Sequence, residues 1–323
     1  MSAISAFVIL SILFILEILY FKIADHYNII DEPNQRSSHT IHTIRGGGII
    51  FALSALMFFY ISNFQYPYFI LGLTLIAGVS FLDDIFTLNK RVRLLAQTIS
   101  VALLFLEWSL FSTSIGVLIL FVIGVIGIIN AYNFMDGING MTGLYSLITI
   151  LCLYYINEYV VTFTSADLLV TTGLSLVVFV FFNFRKTAKC FAGDVGSVGI
   201  AFILIYLIGQ LILETGNTAY ILLLLFYGLD TGTTILFRLI RKENVFEAHR
   251  SHFYQYLVNE QRISHLYVSI GYAVIQLVFN IFLIYFLPQT FFVVFVIGVV
   301  FTLFFIILRF STEGKNRLLK HTF

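Results

Sequence analysis

The chain alternates between long apolar runs and short polar segments along most of its length. Eleven of these runs are long enough to cross the roughly 30 Å hydrocarbon layer of a bilayer, where only helices pair all their backbone groups locally. The predicted spans cover residues 3–21, 46–62, 67–82, 94–108, 113–130, 141–156, 166–184, 197–214, 217–237, 265–286 and 291–309. The pattern therefore predicts an all-α integral membrane protein with about eleven transmembrane helices.

Composition agrees with this fold class. Hydrophobic residues make up 59% of the 323 residues, charged residues only 11%, and the mean hydropathy is +0.97. So few charges suit a chain whose solvent is lipid. The net charge of +1 gives no reason to expect a nucleic acid as a partner. We expect one polytopic membrane domain over residues 1–323, with the first apolar run kept as a span rather than cleaved as a signal peptide.

The basic residues predict the orientation. When the connections between spans are assigned alternately to two sides, all 18 Lys and Arg residues fall on one side, and the seven His residues join them. By the positive-inside rule that side is cytoplasmic, so the amino terminus lies outside and the carboxyl terminus inside. The five cytoplasmic loops that carry candidate chemistry are residues 22–45, 83–93, 131–140, 185–196 and 238–264. We therefore expect an active site that faces the cytoplasm.

The first two cytoplasmic loops combine arginines with acids. Arg36 and Arg45 suit a phosphate, because a guanidinium matches its oxygens with two parallel donors. The glycines that follow Arg45 allow the backbone to approach a ligand or another helix closely. Asp83 and Asp84 end the third span, where adjacent carboxylates are costly unless a cation or a proton lies between them. Lys90 follows; for the basic residues, a solvated loop that only sets the orientation is the alternative interpretation.

The third and fourth loops contain polar residues framed by glycine. Asn133 and Asp136 are three residues apart, so a helical turn would place both on one face. Asp194 lies between glycines at the predicted start of a helix. The free backbone N–H groups of such a helix start suit a phosphate, and the carboxylate beside them suits Mg²⁺. The alternatives are an ordinary Asn/Gly turn for the third loop and a helix-capping role for Asp194.

The fifth loop is rich in basic residues. His249 and His252 are three residues apart, a spacing that does not fit a zinc helix. With Arg250 between them, the two histidines suit a diphosphate better than zinc. A solvated amphipathic helix is the alternative. Within the ninth span, Asp230 is either a functional residue, as intramembrane acids often are, or a hydrogen-bonding residue that packs helices together.

Taken in order, the motifs resemble one protein family. D-x-P-N-x-R-S-S-H…R-G-G-G, D-D, N-x-x-D-G-x-N-G, F-x-G-D-x-G-S and A-H-R-S-H-x-Y-Q follow one another within residues 20–260. This set is similar to the polyprenyl-phosphate N-acetylhexosamine-1-phosphate transferases, glycosyltransferase family 4. The last motif most resembles the branch that initiates O-antigen or capsule repeats.

The resemblance implies a reaction, its partners and a location. The expected enzyme transfers an N-acetylhexosamine-1-phosphate, either GlcNAc or a deoxy relative such as FucNAc or QuiNAc, from its UDP-sugar to undecaprenyl phosphate. It releases UMP, uses Mg²⁺ with Mn²⁺ as an alternative, and starts the synthesis of a cell-surface polysaccharide. The implied location is the bacterial inner membrane, with a homodimer left open.

The resemblance also implies roles for individual residues. Asp83 and Asp84 match the catalytic pair near the lipid phosphate, and Asp194 matches the metal ligand. The expected nucleotide and donor contacts are Asn133, Asp136, Asn139, Phe191, His249, Arg250 and His252, with Arg36, Arg45 and Lys90 as phosphate or lipid contacts. Asn139 departs from the pattern, because many relatives have a second Asp there. Whether transfer takes one step or passes through a covalent intermediate is left open.

Two other functions are compatible with acids in a membrane protein. An intramembrane aspartyl protease would need both catalytic acids within the spans, but the paired acids lie at their cytoplasmic ends. A secondary transporter usually shows internal repeats and binding residues near the midplane, and the sequence has no such repeat. Both interpretations are therefore kept as alternatives to the transferase.

Overall fold

The computed structural model describes residues 1–31, 42–245, 247, 249–286 and 291–320. Helices dominate these ranges. The α-helices are α1 Ala3–His26, α2 Ile49–Ile61, α3 Pro67–Phe86, α4 Lys90–Glu107, α5 Ile115–Met135, α6 Met141–Tyr159, α7 Ala166–Asn183, α8 Gly193–Thr215, α9 Leu225–Ile240, α10 Phe253–Asn259, α11 His265–Phe286, α12 Phe291–Glu313 and α13 Lys315–Leu319. Leu110–Ser112 and Thr218–Leu224 are 3₁₀ helices. Strands β1 (Ile30–Asp31) and β2 (Thr43–Ile44) form an antiparallel pair with Ile30 opposite Ile44.

Each predicted span coincides with a helix. In the described ranges, eight helical segments are long and apolar enough to cross a membrane: α1, α3, α5, α7, α8, the continuous segment Thr218–Ile240, α11 and most of α12. The apolar helix α2 is shorter, at 13 residues, and α4 and α6 coincide with the remaining two predicted spans. The structure thus agrees with an all-α membrane protein, whereas eleven crossings and their orientation stay predictions.

The helices extend further into the predicted loops than the apolar runs do. Asp83 and Asp84 lie in the last turn of α3, α4 already begins at Lys90, and α8 begins at Gly193. An apolar run marks only the part of a helix that contacts lipid, and a helix continues where water or protein can satisfy its polar side chains. The chemistry of the second and fourth loops is therefore carried largely by rigid helix ends.

Helix α8 forms the centre of the fold. In its most apolar 18-residue window, 83% of the residues are buried, and the helix packs against α2, α3, α5 and α6. By contrast, only 22% of the corresponding window is buried in α1 and in α5, and 11% in α12. The outer helices thus expose apolar side chains, as expected of surfaces that face lipid.

Two glycines bring α2 and α8 into backbone contact. A Cβ atom built on Gly48 would lie 2.2 Å from the Cα of Gly196, and one built on Gly196 would lie 2.6 Å from the Cα of Gly48. Small residues permit this close approach of helices in membrane proteins. The prediction that the glycines after Arg45 allow close backbone approach is confirmed.

The ninth span is interrupted where the 3₁₀ helix Thr218–Leu224 passes into α9. A side-chain amide from α11 bonds to the backbone at this interruption: Gln276 accepts from the Phe226 N–H at 3.1 Å and donates to the Leu222 carbonyl at 3.2 Å. The hydroxyl of Tyr145 accepts from the Tyr227 N–H at 3.4 Å. Unpaired backbone groups cost several kcal/mol in lipid, so these side chains make the broken helix tolerable.

We predict that Gly196→Ala destabilises the protein, because its methyl group would separate α8 from α2. Overpacking of this kind costs about 1–3 kcal/mol, which should lower the thermal unfolding temperature in detergent. The matched control is Gly199→Ala, one turn later in α8, where a Cβ would meet no atom within 4 Å. Equal unfolding temperatures for the two variants would contradict the backbone contact.

The predicted orientation can be tested by cysteine labelling. Cys152 and Cys190 are both buried, so they should give little background. We expect an impermeant maleimide applied to the outside of intact cells to label Glu214→Cys and to leave Lys186→Cys unlabelled until the membrane is opened. Both side chains are exposed, Glu214 in the last turn of α8 and Lys186 in the connection that leads into α8. Labelling of both positions from the same side would refute the orientation.

Candidate active site

A polar cavity of about 280 Å³ opens where the basic ends of the helices meet. It takes residues from the first, third, fourth and fifth predicted loops and from the start of α11. Its lining residues are Asp31, Arg45, Asn133, Asp136, Gly137, Ile138, Asn139, Asn183, Phe191, Ala192, Gly193, Asp194, Gln255 and His265. Six residues predicted for the site thus line one cavity: Arg45, Asn133, Asp136, Asn139, Phe191 and Asp194.

Asp84 ties α3 to the start of α8. Its side chain is fully buried, and its two oxygens accept from the backbone N–H groups of Asp194 at 2.9 Å and Val195 at 3.0 Å. Arg45 donates from Nε to the same carboxylate at 2.7 Å. The first N–H groups of a helix have no partner within the helix and favour a negative charge. The capping role considered for Asp194 is therefore filled by Asp84, which leaves the Asp194 carboxylate to face other groups.

Arg93 brings Asp83 and Asp194 together. Its Nη1 atom lies 2.7 Å from Oδ2 of Asp83 and 3.3 Å from Oδ2 of Asp194. Nη2 of Arg45 lies 3.8 Å from the other oxygen of Asp194. Three carboxylates therefore meet two guanidinium groups at the cavity edge, which offsets the repulsion expected between adjacent acids.

The donor atoms here suit a Mg²⁺ ion that is shared with a substrate. Asp83 and Asp194 direct one oxygen each toward the same Arg93 nitrogen, and the Asp194 side chain retains 19% exposure. Within the described ranges, no group of three His, Cys, Asp or Glu side chains is arranged to hold a metal by itself. Mg²⁺ commonly takes one or two carboxylates and completes its shell with phosphate oxygens and water. Asp83 and Asp194 therefore fit a Mg²⁺ site that the substrate completes, rather than a site whose ligands all come from the protein.

The third loop directs Asn133 and Asp136 toward the cavity. Asn133 lies near the end of α5, where its Oδ1 accepts from the Ser197 hydroxyl at 2.7 Å. Asp136 follows the last residue of that helix. Burial raises the pKa of Asp136 to about 7, and the carboxylate of Asp84 acts in the same direction. Asp136 therefore changes its protonation state near neutral pH.

Two amides connect the third and fourth loops while lining the cavity. Asn139 donates from Nδ2 to the Arg185 carbonyl at 2.8 Å. Asn183 accepts from the Gly140 N–H at 2.7 Å and donates to the Cys190 carbonyl at 2.8 Å. An Asp at 139 would lack the N–H donor for the Arg185 carbonyl, so the departure from the family pattern at this position has a structural explanation.

Phe191 belongs to the strip of backbone that joins the first loop to the fourth. Its N–H donates to the Ile44 carbonyl at 2.8 Å, and its own carbonyl accepts from the Gly47 N–H at 2.9 Å. These two backbone hydrogen bonds hold Phe191 at the cavity wall, which Asp194 also lines. A flat aromatic surface in this position suits stacking with a ligand ring.

The basic residues predicted in the fifth loop lie outside the cavity lining, and their donor contacts stay a prediction. His249, Arg250 and His252 are not among the cavity-lining residues; instead, Gln255 of the same motif lines the cavity. His252 is 2% exposed, and its Nδ1 lies 3.2 Å from the Asp230 carboxylate. His249 stacks on His252, with ring centroids 5.0 Å apart.

The charge of His249 also differs from that of a cationic diphosphate contact. Burial lowers the pKa of His249 to about 3, and the nearby His252 and Arg238 side chains act in the same direction. The imidazole is therefore neutral at physiological pH in the ligand-free site. It would meet an anion as a hydrogen-bond donor rather than as a full charge.

Two other predicted contacts lie away from this arrangement. Lys90 is exposed at the start of α4 and does not line the cavity. Arg36 lies outside the described residues, so its predicted phosphate contact stays a prediction.

Sequence reasoning missed four residues of the site: Asp31, Arg93, Gln255 and His265. Asp31 and Gln255 occur in quoted motifs, which is a signal that could have singled them out. Arg93 looked like one more basic residue of an orientation-setting cluster. His265 stands alone at the start of a span, and only the packing of α11 brings it to the cavity.

The chain was compared with known proteins. It matches the family model described as Glycosyl transferase family 4 over residues 66–212. No curated protein matches the chain significantly. The matched segment runs from α3 to α8 and so includes the paired acids and Asp194, but it stops before the fifth loop. The match supports the relationship to glycosyltransferase family 4 and, in general, a sugar phosphotransferase that uses a polyprenyl phosphate, without distinguishing the O-antigen or capsule branch.

Proposed function

We propose that this protein transfers an N-acetylhexosamine-1-phosphate from its UDP-sugar to undecaprenyl phosphate at the inner face of the bacterial plasma membrane. One observation carries the proposal: three carboxylates and two arginines meet at the edge of a polar cavity between helix ends. A phosphoryl transfer between two anions needs positive groups that screen the reacting phosphates, and here the arginines would supply charge directly while the carboxylates could hold a divalent cation. The family match over α3 to α8 supports the reaction class.

The proposed reaction is a displacement at the β-phosphorus of the donor. An oxygen of the lipid phosphate forms a bond to this phosphorus, and the bond from it to the oxygen bridging to the α-phosphorus breaks. UMP leaves with that oxygen, and the sugar-1-phosphate remains on the lipid as a diphosphate. The cavity admits the water-soluble donor, while the lipid phosphate reaches the same point from the headgroup layer.

Asp194 and Asp83 are the side chains proposed to hold Mg²⁺. Their oxygens converge on one Arg93 nitrogen, and Asp194 borders the donor cavity. When bound, the ion would reduce the negative charge of the donor diphosphate and so favour attack by another phosphate. Arg93 would then turn from these acids toward a substrate phosphate, for which its forked donors are suited.

Arg45 and Asp84 have positioning roles in this proposal. Arg45 lines the cavity and stays paired with Asp84, so its charge is held beside the place where a phosphate enters. Both oxygens of Asp84 already accept backbone N–H groups. Asp83 also uses both oxygens, but only Oδ1 is held by backbone, through the Leu88 N–H, whereas Oδ2 pairs with the Arg93 side chain. Because a side chain can exchange its partner, Asp83 is favoured as the acid closer to the reacting groups and Asp84 as the residue that orients the start of α8. The engagement of both Asp84 oxygens also favours direct displacement over a covalent intermediate on Asp84.

Three residues of the cavity lining are proposed to bind the nucleotide. Asn133, Asp136 and Phe191 supply an amide, a carboxylate and an aromatic ring, which together suit a base with N–H donors and a flat face. The donor sugar is proposed to be GlcNAc or a deoxy relative such as FucNAc or QuiNAc, in an enzyme that initiates O-antigen or capsule synthesis.

Replacement of the metal ligand tests the proposal. Membranes containing the protein, incubated with Mg²⁺, undecaprenyl phosphate and a panel of radiolabelled UDP-N-acetylhexosamines, should yield labelled lipid with a preferred donor. We expect Asp194→Asn to reduce the yield at least about 100-fold at any Mg²⁺ concentration, because the charge that holds the ion is lost.

Asp167→Asn is the matched control, since this acid pairs with the amino terminus away from the cavity. It should leave the yield unchanged. Near-normal turnover by Asp194→Asn would remove the metal assignment, and the absence of labelled lipid with every donor would refute the function.

The pKa of Asp136 predicts a pH dependence of donor binding. The carboxyl group is protonated below about pH 7 and ionised above it, and only the ionised form accepts hydrogen bonds through both oxygens. Affinity for UDP-GlcNAc, whose diphosphate does not titrate in this range, should therefore increase as the pH rises through about 7. Calorimetric titrations at constant Mg²⁺ measure this slope. Asp136→Asn should lose it, and an equal slope in the variant would exclude Asp136 as its source.

A further inference from the structure

A buried acid of the ninth span holds the turn that begins α10. Asp230 is 0% exposed and lies in α9. Its carboxylate accepts from the backbone N–H groups of Phe253 at 2.9 Å and Tyr254 at 3.1 Å. The Tyr272 hydroxyl donates to it at 2.6 Å, and the His252 ring contacts it from the remaining side. The acid therefore contacts three consecutive residues of the fifth loop and one of α11.

A buried arginine from α12 holds the same turn from the other side. Arg309 is 1% exposed, and its Nη2 donates to the Ser251 carbonyl at 2.8 Å. Its Nη1 donates to the hydroxyls of Thr233 at 3.0 Å and Thr234 at 2.8 Å. Thr234 in turn donates to Asp230 at 3.3 Å. Residues 251–254 thus lie between a carboxylate and a guanidinium that two different helices supply.

Such a network is costly in a membrane protein. Charged groups buried within spans are unfavourable, and well-packed apolar side chains often stabilise a fold as well as a buried ion pair does. What charges and hydrogen bonds add is a defined geometry, because each bond requires its own direction and distance. The geometry defined here is that of the backbone that enters α10.

The turn is connected directly to the proposed donor site. Gln255 follows it by one residue and lines the cavity, and its Oε1 accepts from the His252 N–H at 3.3 Å. The amide nitrogen is consequently the group that Gln255 can offer to a ligand. Tyr254 donates from its hydroxyl to the Phe134 carbonyl at 3.0 Å and lies where a Cβ on Gly137 would come within 2.2 Å. The first turn of α10 therefore spans from the buried network to the loop that carries Asp136.

We propose that Asp230 is a positioning residue for the donor site: with Arg309, it fixes the turn at residues 251–254 and thereby holds the Gln255 amide against an oxygen of the sugar nucleotide. This inference rests on the proposed function. It assigns a donor contact of the fifth loop to Gln255, and it gives His252 a role in shaping the turn.

The test is a double-mutant cycle on the purified protein in detergent, with undecaprenyl phosphate, Mg²⁺ and a varied concentration of the preferred UDP-sugar. Asp230→Asn places an amide N–H against backbone N–H groups, which should displace the turn and raise KM for the donor about tenfold. KM for the lipid and kcat should stay within about twofold. Gln255→Ala should raise KM for the donor similarly, and the double variant should show no further increase beyond about twofold.

A control variant separates positioning from general loss of stability. Asn157 is 3% exposed and accepts from the backbone N–H groups of Phe163 and Thr164, in a connection that lies at the other end of the helices. Asn157→Ala should lower the unfolding temperature while leaving KM for the donor unchanged. If Asp230→Asn does not fold, Tyr272→Phe removes a single hydrogen bond to the same carboxylate and should raise KM for the donor by a smaller factor.

The outcomes distinguish this inference from the function on which it rests. Wild-type protein that transfers no sugar phosphate from any donor would refute both. Active wild-type protein, with Asp230→Asn or Tyr272→Phe lowering stability but not affecting KM for the donor, would overturn the positioning role alone. Multiplicative effects of Asp230→Asn and Gln255→Ala would also overturn it, because the acid would then not act through Gln255.

Discussion

The contact between the Asp84 carboxylate and the first N–H groups of α8 is the interaction on which the site geometry depends. It joins the end of α3 to the start of the most buried helix, and Arg45 attaches the first loop to the same carboxylate. The acid satisfies backbone donors that have no partner within the helix, and these donors together with Arg45 offset part of the cost of burying its charge. The position of Asp194, and with it the proposed metal site, follows from where this contact places the first turn of α8.

The electrostatics of the site leave an excess of negative charge. Three carboxylates, those of Asp83, Asp84 and Asp194, share the two guanidinium groups of Arg45 and Arg93, so the proposed binding of a diphosphate requires a cation as well as the arginines. In the proposed reaction, an arriving diphosphate would draw Arg93 away from Asp83 and Asp194 while Arg45 stays paired with Asp84, and a divalent cation could then bind to Asp83 and Asp194. Donor, cation and acceptor are thereby expected to assemble together, which keeps isolated charges out of the low-dielectric region.

Two buried polar systems stabilise the helices behind the cavity. Gln276 and Tyr145 bond to the backbone at the break before α9, while Asp230 and Arg309 hold the turn before α10. Both systems rely on partners far apart in the chain. In lipid such groups cannot be satisfied by water, so their hydrogen bonds also restrict which arrangements of α9, α11 and α12 are compatible with the fold.

The amino-acid sequence by itself determined the helical membrane class, the approximate extent of the long apolar helices and the grouping of polar motifs, because apolar length and charge placement act locally along the chain. It also predicted that Arg45, Asp136 and Asp194 share a site. Only the tertiary structure decided that Asp84 caps α8, that Arg93 bridges two acids, and that Gln255 rather than His252 lines the cavity. These outcomes depend on the direction of individual side chains between distant helices, which no residue spacing encodes.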